Sequence, residues 1–140
     1  MSTHDNKALM QAIFAALAVG DRAPFRDALA EDFRWIITGE SVWAGVYEGR
    51  EAVMNDLLRP LTAQFATQYT NRAKRFIAED DLVVVECQGN VTTKKGEPYN
   101  NSYCLIYRLE NGKIKELTEY MDTDLCVKRL DPPARARSSL

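Results

Sequence analysis

Asn111-Gly112-Lys113-Ile114-Lys115-Glu116-Leu117-Thr118-Glu119-Tyr120-Met121 decides the fold and holds the most informative residue of the chain, Glu119. Asn-Gly is the strongest short hairpin signal, because both central residues of a type I′ turn need positive φ. With a two-residue turn Glu110 faces Lys113. Counting back sets Ile106 opposite Leu117, Cys104 opposite Glu119 and Ser102 opposite Met121. Residues two apart in a strand share a face, so Glu119 stands between Leu117 and Met121 on a largely apolar surface. On that count Cys104, Ser102 and Asn100 share the face. The opposite face carries Tyr103, Leu105 and Tyr107 against Thr118 and Tyr120, an aromatic surface suited to core or to a second subunit.

Upstream the period is first helical. Leu9, Ile13 and Leu17 recur with Met10 and Phe14 from about Asp5 to Val19, and Gly20 closes this helix. Asp21 caps a short helix with Pro24 in its first turn and Phe25, Ala28 and Leu29 as its buried stripe. A strand follows over Phe33–Thr38, and then a loop carrying Trp43 and Tyr47. Arg50 opens a third helix through Val53, Leu57, Leu61 and Phe65, which Pro60 kinks or divides. From Thr67 onward the pattern is of strands, at about 68–78, 82–93, 99–109 and 114–122. Helices first and an antiparallel meander afterwards predict an α+β fold with the helices packed on one face of a curved sheet.

The chain has 140 residues, 46% hydrophobic and 27% charged, enough for one domain burying roughly 68% of its unfolded surface. We expect that domain over residues 1–130, with a mobile tail over 131–140 unless a partner subunit holds it. A net charge of -2 argues against nucleic acid as a partner. No run of 18 apolar residues and no leader-like start occur, so the expectation is a cytoplasmic protein without a membrane partner. Cys87, Cys104 and Cys126 with His4 form no zinc spacing, and neither a metal nor a cofactor is expected.

An uncompensated buried carboxylate favours its protonated form, and hydrogen bonds pull its pKa back down. Glu119 is therefore the candidate acid/base, with Gln88 and Asn90 of the preceding strand, Asn100 and Ser102 as orienting groups. Trp35, Trp43 and Tyr47 are candidates to line a pocket mouth, while Cys104 and Met121 share the predicted face with Glu119. The competing reading is a structural carboxylate at a sheet edge or subunit surface.

The order of elements, with Ala18-Val19-Gly20-Asp21, Trp43-Ala44-Gly45-Val46-Tyr47-Glu48-Gly49-Arg50 and Asn111-Gly112-Lys113-Ile114 leading to Glu119-Tyr120-Met121-Asp122, resembles the SnoaL-like branch of the nuclear transport factor 2-like superfamily. The likeness spans about residues 5–127. It implies a cone-shaped α+β barrel with an internal pocket for a small molecule, commonly in homodimers. Its members include polyketide cyclases, ketosteroid isomerase and limonene epoxide hydrolase, and fold does not choose among them. By position Glu119 matches the acid/base of the cyclases and one catalytic aspartate of the epoxide hydrolase. The steroid isomerase's base and oxyanion donors fall on Ile37, Ile13 and Cys104, and the epoxide hydrolase's arginine and first aspartate on Gln88 and Asn90. Neither of those mechanisms is therefore expected. What remains is acid/base chemistry of isomerase, cyclase or hydratase-like type on a small, largely apolar molecule. The alternative is a non-catalytic ligand-binding or protein-interaction module of the same fold.

Overall fold

In the computed structural model, which describes residues 1–133, helix α1 spans Thr3–Leu17. Ser2 caps it reciprocally: its hydroxyl accepts the Asp5 N–H at 3.1 Å, and the Asp5 carboxylate accepts the Ser2 N–H at 3.1 Å. Met10, Ile13, Phe14 and Leu17 form its buried stripe. Helix α2, Ala23–Ala28, starts where Asp21 accepts the Ala23 N–H at 3.0 Å. Strand β1 is Leu29–Ile37, longer than expected at its start, and the expected loop after it contains a short strand, β2, Gly45–Glu48. The third helical stretch divides into α3, Arg50–Ala52, a π-helical segment, Val53–Leu58, and α4, Arg59–Thr62. The widened turn lies just ahead of Pro60, whose ring removes one backbone donor from the ladder.

Strands β3, Thr70–Glu79, β4, Leu82–Asn90, β5, Ser102–Glu110, and β6, Lys113–Met121, form the meander. Helix α5, Thr123–Arg129, is capped by Asp122, whose carboxylate accepts the Leu125 N–H at 3.1 Å. The strand order is β2-β1-β6-β5-β4-β3, with β1 parallel to β6 and the other pairs antiparallel.

Two expectations are corrected. The sheet is open and does not close into a cone-shaped barrel, because β2 and β3 are its two edges and do not pair with each other. Closure requires edge strands matched in length and stagger. Here one edge has four residues and the other ten, and α1 covers β3 and β4 while the π-helical segment packs on β2.

The second correction concerns register. Glu110 pairs with Lys113 and Leu109 with Ile114, as the Asn-Gly turn requires, with Asn111 and Gly112 at φ 51 and 75. Arg108 then pairs with Glu116, which leaves Lys115 as an extra residue in β6. This bulge moves every later pair by one place, so Leu105 lies opposite Glu119, Tyr107 opposite Leu117 and Tyr103 opposite Met121. A one-residue slip exchanges the faces of a strand pair. The face of Tyr103, Leu105 and Tyr107, expected opposite to that of Glu119, is therefore the inner face that Glu119 shares.

The tail expectation falls mostly on residues 134–140, outside the described residues. At Asp131 the chain is still anchored: its N–H donates to Gln64 Oε1 at 2.8 Å, and its carboxylate meets Lys95 Nζ at 2.7 Å. Among the described residues no helix is long and apolar enough to cross a membrane.

Candidate functional site

Strand β6 carries Leu117, Glu119 and Met121 on the inner face, beside Phe33, Trp35 and Ile37 of parallel strand β1. The Glu119 backbone is fixed first, since its carbonyl accepts both the Thr38 N–H at 3.1 Å and the Thr38 hydroxyl at 2.9 Å. Its side chain is 7% exposed, and Trp35 Nε1–H donates to Oε1 at 2.8 Å. Burial pushes the Glu119 carboxyl up to about 7, while the indole hydrogen bond works in the opposite direction by favouring the ionised form. Both protonation states are thus populated near neutrality.

Glu119 lines a cavity of about 270 Å³ between the sheet, α2 and the helical stretch 50–62. Beside it across the ladder stand Tyr103 and Tyr107, with Tyr69 and Tyr99 also in the lining. Tyr69 accepts the Asn71 side-chain N–H at 3.0 Å and bonds to Tyr103, and Tyr99 accepts from fully buried Asn101 at 3.1 Å. Burial raises the pKa of all four phenols, so they keep their protons and serve as neutral donors. Gly89 makes room for Tyr69, since a Cβ there would sit 2.9 Å from the hydroxyl.

Two lining atoms are buried without a partner among the described residues: the Trp43 indole N–H, a donor, and Asn71 Oδ1, an acceptor. A buried polar atom left unpaired is costly, and these two are where a ligand's polar groups would be satisfied. Most of the remaining inner wall is apolar, with Phe14, Leu29, Leu57 and Leu61 among its residues.

Of the residues singled out from sequence, the fold brings Glu119, Trp35, Trp43 and Met121 together in the cavity lining. Tyr47 is buried behind it, and its hydroxyl donates to the Trp43 carbonyl at 2.9 Å, which braces the loop that carries Trp43. The remaining five are not on this side. Gln88 pairs with Ser102, and Glu86 with Cys104, on the outer face, where Ser102 and Cys104 are exposed. Gln88, Asn90 and Asn100 border a separate shallow hollow, and Asn100 Oδ1 accepts the Val91 N–H at 3.1 Å. The expectation that these five surround Glu119 rested on a regular hairpin, and the bulge at Lys115 undoes it.

The residues missed from sequence are Tyr69, Asn71, Tyr99, Tyr103 and Tyr107, together with Arg22, Arg26 and Arg59 at the rim. One signal was present. Buried Ile114 and Leu117 are three apart, the single break in the alternation of β6. Among the described residues no group of three or more His, Cys, Asp or Glu is placed to hold a metal ion.

The comparisons with known proteins agree with this architecture. Among solved structures, an NTF2-like protein of unknown function from Burkholderia pseudomallei superposes with a TM-score of 0.75 at 21% identity, covering 93% of this chain and 98% of its own. A putative SnoaL-like polyketide cyclase from a Jannaschia species gives 0.72 at 15%, over 91% and 92%. A putative isomerase from Bacillus subtilis gives 0.70 at 17%, over 92% and 95%. These likenesses show a shared fold. A search of curated proteins returns no match. The model of the SnoaL-like domain matches residues 10–117, most of the chain, and the protein therefore belongs to the SnoaL-like family.

Proposed function

We propose that the cavity binds a small, largely apolar carbonyl compound and that Glu119 moves a proton to or from it. The observation that carries this reading is a carboxyl buried in a cavity wall, held by one indole donor and poised to ionise at about 7. General acid/base catalysis is most effective when the pKa of the group lies near the working pH.

In this reading ionised Glu119 takes a proton from the carbon next to a carbonyl, and the C–H electron pair passes to the oxygen as an enolate. Tyr69, whose hydroxyl accepts from Asn71 and Tyr103 and keeps its own proton to give, or the unpartnered Trp43 N–H donates to that oxygen. Returning the proton to a different carbon isomerises the compound. Attack of the enolate carbon on a second carbonyl of the same molecule closes a ring instead. Two structural relatives described as a putative polyketide cyclase and a putative isomerase are compatible with either outcome. The lining gives no activated serine or cysteine, and burial pushes the Cys126 thiol up to about 11.

The test is proton exchange. A panel of cyclic and aryl ketones incubated in heavy water and followed by proton NMR should show enzyme-dependent loss of the α-proton signal for at least one compound. Glu119→Gln should slow it by roughly a hundredfold or more. Exchange equally fast in the variant removes Glu119 from the chemistry. Tight binding without exchange by any compound favours the non-catalytic ligand-binding module.

A further inference from the structure

The charged groups of the cavity are unevenly distributed. Among the described residues its lining contains one carboxyl, that of buried Glu119, and three guanidiniums, those of the exposed Arg22, Arg26 and Arg59. The whole chain carries a net charge of -2, so this excess of positive charge is local. The guanidiniums of Arg22 and Arg59 make no ion pair or side-chain hydrogen bond among the described residues, and only their backbones are bonded. Arg26 has only Asp27, at 4.0 Å, and both side chains of that pair are largely exposed.

The arginines are also placed in relation to the carboxyl. Arg22 and Arg26 are four residues apart across α2 and so lie on one face of it. Between them in sequence, Phe25 packs edge-on against Trp35 with ring centroids 6.0 Å apart, and Trp35 donates to Glu119. Arg59 approaches the opening from the start of α4. Phe25 and Trp35 thus link α2 to the carboxyl. An anionic group placed beside ionised Glu119 would be repelled, and the same group at the rim would meet unpaired donors suited to oxyanions.

We propose that the ligand carries an oxyanion, of carboxylate, sulfonate or phosphate type, at the end away from its reacting carbon, and that Arg22, Arg26 and Arg59 hold it at the rim. This rests on the cavity being the ligand site. The rim then sets orientation: the anion stays at the mouth while the apolar body carries the reacting carbon in to Glu119.

Two fluorescent probes with the same rings test it: anilinonaphthalene sulfonate and N-phenylnaphthylamine, which lacks the sulfonate. The expectation is that each displaces the other, and that the sulfonate binds about tenfold tighter at low salt, the worth of a charge-assisted contact. Added salt should erode that preference. The variant R22Q/R26Q/R59Q should lose the preference and keep its affinity for phenylnaphthylamine; R59Q alone should lose about threefold for the sulfonate. Equal affinities in the wild type, or a preference that survives the triple substitution, overturn the rim proposal while leaving the cavity reading intact. Binding of neither probe overturns both.

Discussion

The placement of Glu119 has a thermodynamic consequence that needs no substrate. A carboxyl that ionises near 4.5 in the unfolded chain and at about 7 in the folded protein makes folding pH-dependent. Between those values the native state binds more protons than the unfolded state, so stability falls as pH rises through this window and levels off above about 7. At about 1.36 kcal/mol for each tenfold change in an ionisation constant, the ionised form costs about 3 kcal/mol. Glu119→Gln imitates the protonated form and keeps an oxygen for the Trp35 N–H. We therefore expect the stability of Glu119→Gln relative to wild type to rise by up to about 3 kcal/mol between pH 4.5 and pH 8. The assay is urea unfolding of both proteins across that range, and the quantity read is their difference at each pH. Taking the difference cancels the exposed carboxylates common to both. Of the other groups around Glu119, the four tyrosines keep their protons, and the Cys87 and Cys126 thiols are pushed up to about 12 and about 11. A difference that does not change with pH would refute the argument that burial raises the Glu119 pKa. So would one that grows as pH falls.

Two further outcomes follow from the same geometry. Trp35→Phe keeps a ring against Phe25 and Phe33 and removes the donor to Glu119, so the Glu119 transition should move upward from about 7, by roughly one pH unit for a hydrogen bond to a charged group. It is read from the pH-dependent stability of W35F against W35F/E119Q, and an unmoved or lowered midpoint would show that the indole does not hold the ionised form. The bulge at Lys115 predicts thiol reactivity: in the folded protein Ellman's reagent should titrate Cys104 within minutes, and Cys87 and Cys126 only after denaturation. Persistence of the fast thiol in Cys104→Ser would show that the outer face has been assigned to the wrong residues.

Much of the fold was legible because it follows from local chemistry. The helix of α1 came from the spacing of Met10, Ile13, Phe14 and Leu17, and the terminal hairpin from Asn111-Gly112. Glu119 stood out for the same reason, as a charge in an apolar alternation. Its neighbours on β5, Tyr103 and Tyr107, did not, because their place beside it depends on one extra residue in β6. Ile114 and Leu117 mark the break, yet an isolated strand gives no reason to prefer a bulge there over a less buried position.

The sequence by itself determined the main helices and strands, their order, and that one carboxylate stands in an apolar alternation, since periodicity, turn chemistry and charge act over a few residues. Only the tertiary structure decided what surrounds that carboxylate. The Trp35 hydrogen bond depends on the parallel pairing of β1 with β6, strands 84 residues apart at that contact. Glu119 shares a face with Tyr103 and Tyr107 through the Lys115 bulge, and the arginines reach the opening through the packing of α2 and α4. The openness of the sheet likewise depends on how β2 and β3 compare in length and on which helices cover the face between them. All four are relations between distant segments, whose free energy arises only when those segments meet.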